Sequence, residues 1–129
     1  MNTPLFLKRV LLMDAASCLA MGALLLIAAG ALSGLFGIDR SILLLAGAIL
    51  IPSGLFMTWT ALRAPIAPAL VSIIILGNIL WVGESFLLLG QISGVTAIGQ
   101  AFIVVQALGV AGITALETLG IFRLRAKQA

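Results

Sequence analysis

The chain has 129 residues, of which 63% are hydrophobic and 9% are charged, and its formal net charge is +3. A soluble domain carries roughly a quarter charged residues, so this composition excludes an ordinary soluble domain, and we expect lipid to be the solvent for most of the exterior. The length allows one domain, residues 1–129, and the basic residues beside apolar segments indicate headgroup contacts with membrane lipids and no nucleic-acid binding.

Four apolar stretches are each long enough for a membrane-spanning helix, which needs about 20 residues. Short connections that contain glycine or proline separate the stretches, so consecutive helices should be antiparallel neighbours. We therefore predict an all-α fold, an integral membrane four-helix bundle in up-down-up-down order. The predicted spans, in chain order, are approximately 10–36, 41–62, 67–89 and 97–122.

The first span begins after a basic pair and contains Asp14 about one turn inside its start. An ionisable side chain costs on the order of 2.5–3.5 kcal/mol at the centre of a span, so it is a candidate for function. Glu117, near the end of the fourth span, is expected at a similar depth on the same side. One interpretation is a paired-carboxylate site for a proton or a cation. The other is a structural ion-pair network with Arg9, Arg63 and Arg123.

The third span carries polar side chains on one face. Asn78, Trp81 and Ser85 follow the i, i+3, i+7 spacing, and Glu84 flanks that face. Together with Gln106 of the fourth span they predict a pocket that suits a quinone head, a lipid or a small amphiphile. The alternative is hydrogen bonding between helices without a ligand, worth about 0.6 kcal/mol per contact.

Glu84 is the strongest single functional candidate in the sequence. The loop that follows its helix supplies no cation, and Arg40 is the one basic residue expected on that side of the membrane. We predict that Glu84 either pairs with Arg40 or faces a cavity, where it is able to bind a ligand or carry a proton.

The basic residues are distributed unequally between the two ends of the predicted spans. Six of the seven fall on one side if four helices alternate, and Arg40 falls on the other. Because cytoplasmic loops carry an excess of Lys and Arg, this asymmetry predicts that both termini lie in the cytoplasm. The six are Lys8, Arg9, Arg63, Arg123, Arg125 and Lys127.

The sequence contains no histidine and a single cysteine, Cys18. It therefore lacks the commonest metal ligand and the commonest general base, and it has no nucleotide-binding or metalloprotease motif. No loop between the spans is long enough for a soluble catalytic site. We expect neither enzymatic activity nor a cofactor or a metal site.

In its four-span layout, and in the neighbourhoods Asn78-x-x-Trp81 and Gln106-Ala107, the chain resembles small four-span proteins of bacterial inner membranes. The resemblance implies a multi-pass protein of that membrane and no activity. We predict a non-catalytic module that binds a lipid-like small molecule or a partner membrane protein through the third and fourth spans. The alternative is a proton- or cation-coupled transporter that uses Glu84 or the Asp14–Glu117 pair, and it requires a homo-oligomer.

Overall fold

The computed structural model describes residues 3–128, and the side chains of residues 3–126, so the Lys127 side chain lies outside the described part. The described residues form an all-helical bundle. Four of its helices, α1, α3, α4 and α5, are long and apolar enough to cross a membrane. The helices are α1 (Thr3–Ile27), α2 (Ala29–Phe36), α3 (Arg40–Leu62), α4 (Pro68–Gln91) and α5 (Ala97–Gln128).

The predicted first span, 10–36, is not one continuous helix. A bend at Ala28 separates α1 from α2, although the Ala28 N–H still donates to the Leu24 carbonyl and the Leu32 N–H to the Ala28 carbonyl, both at 2.9 Å. The short α2 ends at Gly37, whose φ of +67° is a conformation that glycine adopts without steric cost. Hydropathy did not indicate the bend, because apolar residues continue on both sides of it.

Two of the long helices extend beyond the predicted spans. α1 begins at Thr3, before the predicted start of the first span, and α5 continues to Gln128. Both extensions contain basic residues, among them Arg9 and Arg125. A helix does not have to end where a continuous apolar stretch ends, so hydropathy located the central part of each helix and missed these turns with basic residues.

Close packing of α1 against α3 depends on small residues. A Cβ atom added at Gly47 would lie 2.8 Å from Leu26 Cγ and 3.0 Å from the Gly22 carbonyl oxygen, and one added at Gly54 would lie 2.7 Å from Leu19 Cγ. Only glycine leaves room for such an approach, and small residues are typical of closely packed apolar helices. The pairing of Gly47 with Leu26 and of Gly54 with Leu19 also shows that the two helices are antiparallel.

The helices are arranged in the order α3, α1, α5, α4. α1 packs on both α3 and α5, and α4 packs on α5, whereas α3 and α4 barely touch. α1 has the most central position: 39% of its most apolar stretch is buried, against 22–28% for the other three long helices. The bundle is therefore open between α3 and α4.

One end of the bundle is held by contacts between the end of α2 and the start of α5, which we call the α2–α5 clamp. The Thr96 N–H donates to the Phe36 carbonyl at 2.9 Å, and the Thr96 hydroxyl donates to the Leu35 carbonyl at 2.8 Å. The Phe36 ring stacks on Phe102 with 4.5 Å between ring centroids. The clamp connects the first half of the chain to the second at this end.

The clamp predicts a specific sensitivity at Gly99 in α5. A Cβ atom there would overlap the Phe36 carbonyl oxygen, a backbone atom that the clamp holds in place. We expect Gly99→Ala to lower the free energy of unfolding by about 1–3 kcal/mol, as overpacking does. Denaturant unfolding in detergent micelles measures the change.

The matched control for Gly99→Ala is Gly109→Ala in the same helix, where nothing lies within 4 Å of the added atom. Because alanine is the better helix former, this variant should be unchanged or more stable by up to about 1 kcal/mol. Equal stability of the two variants would show that α2 and α5 do not approach closely at Gly99.

Candidate functional site

A polar cluster lies buried among three helices. Asp14 of α1, Asn78 of α4 and Glu117 of α5 are 1%, 6% and 0% exposed. The Asn78 side-chain amide donates to Asp14 Oδ2 at 2.8 Å and to Glu117 Oε1 at 3.0 Å. One amide group therefore serves two carboxyl groups from different helices, and we call these three residues the carboxyl–amide cluster.

The surroundings of this cluster contain few polar atoms. Cys18 lies one turn after Asp14 on α1, and its Sγ is 3.8 Å from Asp14 Oδ1 and 3.8 Å from the Met57 Sδ of α3. The Glu117 and Asp14 carboxyl groups each present one oxygen to the same nitrogen, Asn78 Nδ2. The Glu117 Oε2 atom is buried and receives no hydrogen bond from any described residue. The carboxyl oxygens of Asp14 and Glu117 thus outnumber the hydrogen-bond donors that surround them.

The structure brings Asp14 and Glu117 together, but not with the arginines that the sequence suggested as partners. Within the described side chains, Arg9, Arg63 and Arg123 form no ion pair with either carboxyl group. Helix geometry explains this: at about 100° per residue, Arg9 lies about 140° around α1 from Asp14, and Arg123 lies about 120° around α5 from Glu117. The carboxyl groups therefore point into the bundle and these two arginines point away from it.

Two of these arginines lie over aromatic rings. The Arg63 guanidinium carbon is 4.7 Å from the centroid of the Trp59 ring, and that of Arg123 is 6.0 Å from the Phe6 ring. Such cation–π contacts keep the charges at the exposed surface of the helices. The basic residues near this end consequently leave the buried carboxyl groups without a counter-charge.

A second polar site lies between α4 and α5 and faces the opening between α3 and α4. The Trp81 indole N–H donates to Gln106 Oε1 at 2.8 Å, and Gln106 Nε2 donates to Ser85 Oγ at 2.9 Å. The Ser85 hydroxyl in turn donates to the Trp81 carbonyl at 2.8 Å. These three residues form a closed hydrogen-bonded group.

This group forms part of the wall of a groove with a volume of ≈ 460 Å³. Small-molecule sites in proteins occupy roughly 300–1,000 Å³, so the groove has a suitable size. Apart from this polar wall and Glu84, its lining is apolar. Residues of α1 and α3 that contribute to the apolar part are Met21, Leu25, Ile42, Leu43, Leu45, Ala46 and Ile49.

Glu84 lines the same groove and is exposed. It has no hydrogen bond or ion pair with any described residue, and so the suggested pair with Arg40 is not formed. Arg40 is the exposed first residue of α3. A carboxyl group without a protein partner therefore stands at the edge of an otherwise apolar groove.

The five residues predicted to line one pocket are thus divided between two sites. Trp81, Glu84, Ser85 and Gln106 line the groove, whereas Asn78 belongs to the carboxyl–amide cluster. The i, i+3, i+7 spacing places side chains on one face of a helix but does not specify which neighbouring helix each of them meets. Within the described residues, no group of three or more His, Cys, Asp and Glu is placed to hold a metal ion.

No protein-family model, curated protein or solved structure matches the chain. A helical bundle by itself does not define a function, because the same architecture serves many. The inference of function therefore rests on the carboxyl–amide cluster and on the groove.

The hydrogen bond between Trp81 and Gln106 predicts an energetic coupling of these residues. In a double-mutant cycle of Trp81→Phe and Gln106→Leu, we expect a coupling of about 0.6 kcal/mol, with about 1.7 kcal/mol as the upper end, the range found for hydrogen bonds between apolar helices. Denaturant unfolding of the four proteins in one detergent gives this value. The control cycle combines Trp59→Phe with Gln100→Leu, two residues near opposite ends of the bundle, and should show no coupling energy. Equal coupling energies in the two cycles would contradict a direct hydrogen bond between Trp81 and Gln106.

Proposed function

We propose that this chain is a multi-pass protein of the bacterial inner membrane that binds an amphiphilic, lipid-like small molecule in the groove between α3 and α4, without catalysing a reaction. The observation that carries the proposal is the groove itself, which has a volume of ≈ 460 Å³ and whose polar groups are concentrated on one wall. Pockets of this kind hold an apolar body by burial and orient it through a few polar contacts.

The chemistry of the groove favours a head group that donates hydrogen bonds or carries a positive charge. Trp81, Ser85 and Gln106 satisfy one another, so they offer few free acceptors to a ligand. Glu84 has no described partner and is the group most available for a new contact. A carboxylate forms its strongest hydrogen bonds with cationic donors, so we infer a long-chain amine or a lipid with an amine head.

The position of the groove favours a ligand that arrives from the bilayer. α3 and α4 barely touch, so the groove opens sideways between two helices that are long and apolar enough to cross a membrane. Leu45 and Leu80, which line it, are both 62% exposed. Large exposed leucines at an opening suit hydrocarbon better than water.

The proposed orientation places the groove in the outer half of the bilayer. The groove lies toward the end of the bundle that carries Arg40 and the α2–α5 clamp. Lys8, Arg9 and Arg123 lie near the other end. With the positive-inside rule, the latter end is cytoplasmic, and both termini are on that side.

Fluorescence quenching tests the groove directly. The chain has two tryptophans, so a Trp59→Phe variant leaves Trp81 as the only reporter. In lipid nanodiscs, a bromine-labelled long-chain primary amine should quench Trp81 saturably. A bromine-labelled fatty acid of the same length should quench less, because the carboxylate of Glu84 repels it. Glu84→Gln should remove this preference for the amine.

Two glycines of α4 provide a matched pair of variants for the same assay. Gly77 lines the groove and Gly83 does not, and at both positions an added Cβ atom has open space. Gly77→Leu should fill the groove and reduce saturable quenching, while Gly83→Leu should leave it unchanged. Quenching that never saturates, or that is equal for the two lipids, would contradict the proposal. If the chain forms dimers in which Trp81 is protected from both quenchers, the occupant of the groove is a second copy of the chain. A membrane-protein partner then takes the place of the lipid-like molecule.

A further inference from the structure

We propose that the carboxyl–amide cluster is a proton-binding site, in which the carboxyl groups of Asp14 and Glu117 share one proton inside the bundle. The site is separate from the groove, and neither depends on the other being occupied. It extends the chemistry of the chain from the binding of a lipid-like molecule to the reversible binding of a proton.

The hydrogen bonds of the cluster are the first argument. Both bonds that Asn78 Nδ2 donates go to the carboxyl groups, one to Asp14 and one to Glu117. Both carboxyl groups therefore lie beside one amide nitrogen. Ionised carboxylates only accept hydrogen bonds, so the pair gains a further donor only when one of them carries a proton. The buried and unpartnered Glu117 Oε2 is an atom that a proton would satisfy.

The absence of a counter-charge is the second argument. α1 presents Cys18 beside Asp14, α3 presents Met57 behind Cys18, and α4 presents the neutral Asn78. No lysine or arginine with a described side chain forms an ion pair with either carboxyl group. Two carboxylates that share a buried site without a cation repel each other, and one proton removes half of the charge.

The orientation of the Asn78 amide favours a proton over a metal cation. Hard cations such as Ca²⁺ take six or more oxygen ligands. Asn78 directs its nitrogen, not its oxygen, toward both carboxyl groups. An amide nitrogen donates hydrogen bonds and cannot ligate a cation. The Asn78 side chain is therefore oriented to bind the carboxyl oxygens and not a metal ion.

Release of the proton has a consequence for the packing of the bundle. Asp14 belongs to α1 and Glu117 to α5, so two negative charges would then face each other across the contact between these helices. Their repulsion favours separation of α1 and α5. The bound proton therefore stabilises the contact between α1 and α5. In this way the site couples proton binding to helix packing.

The small number of acidic residues allows each carboxyl group to be observed separately. The chain contains only Asp14, Asp39, Glu84 and Glu117 as acidic residues. Glutamate labelled with ¹³C at its carboxyl carbon reports Glu117 alone in Glu84→Gln. Labelled aspartate reports Asp14 alone in Asp39→Asn, in which asparagine retains the cap of α3.

Solid-state NMR of these two samples in lipid bilayers at neutral pH tests the proposal. We expect the ¹³C chemical shifts of the two carboxyl groups to account for one bound proton, either on one group or averaged over both. Titration to alkaline pH should then release this proton. Two fully ionised carboxylates at neutral pH would overturn the proposal. A change of the same signals on addition of NaCl at constant pH would also overturn it, in favour of a cation site.

The pH dependence of stability provides an independent readout. The unfolding temperature of the wild type in detergent should fall as alkaline pH removes the proton, because the folded bundle then contains two facing charges. Asp14→Asn or Glu117→Gln leaves one buried carboxyl group without a charged neighbour, so it should make this fall smaller, whereas Glu84→Gln should retain it in full. A wild type whose unfolding temperature does not depend on pH would contradict a shared proton. If the cluster variants do not fold, the NMR experiment still tests the proposal, because its two samples leave the cluster intact.

Discussion

The amide group of Asn78 holds three helices at one point. Its two hydrogen bonds join α4 to α1 and to α5, and all three residues of the cluster are buried. Because α4 has almost no contact with α3, its place in the bundle depends on α5 and on this amide. Between apolar helices such as these, a buried polar contact specifies which helices associate.

The two halves of the bundle are held together by different means. Glycines such as Gly47 and Gly54 bring α1 and α3 into close contact, whereas α4 and α5 are joined by polar side chains, among them Trp81 and Gln106. α3 and α4 barely touch, and the groove is the space between them. The groove therefore follows from the packing of the other helix pairs.

Composition and hydropathy were sufficient to predict the helical bundle and its four long apolar helices. The cost of an ionisable group in lipid selected Asp14, Glu84 and Glu117 as candidate residues before any geometry was known. The prediction of the helices succeeds because it depends on the residues of one helix at a time. What a residue costs in lipid can be estimated from its type and its position in the span.

The arrangement between helices could not be predicted in the same way. Counting from the loop between α4 and α5 places Gln106 opposite Trp81, but it does not place Glu117 opposite Asn78. The contact of Asn78 with Glu117 depends on how the helices cross and how far the side chains reach, which helical periodicity does not encode. The arginines were expected as partners because they share a depth with the carboxyl groups, and depth does not determine which way a side chain points.

The carboxyl–amide cluster also constrains the order in which the bundle is completed during synthesis. Asp14 lies in the first helix, whereas Asn78 and Glu117 both lie in the second half of the chain. The pair of α1 and α3 is able to close on its glycines as soon as both are made, but at that stage Asp14 has neither its donor nor its neighbouring carboxyl group. The unfinished bundle thus contains Asp14 without its hydrogen bond from Asn78. The cluster is completed when α4 and α5 pack against α1, so its hydrogen bonds favour docking of the last part of the chain.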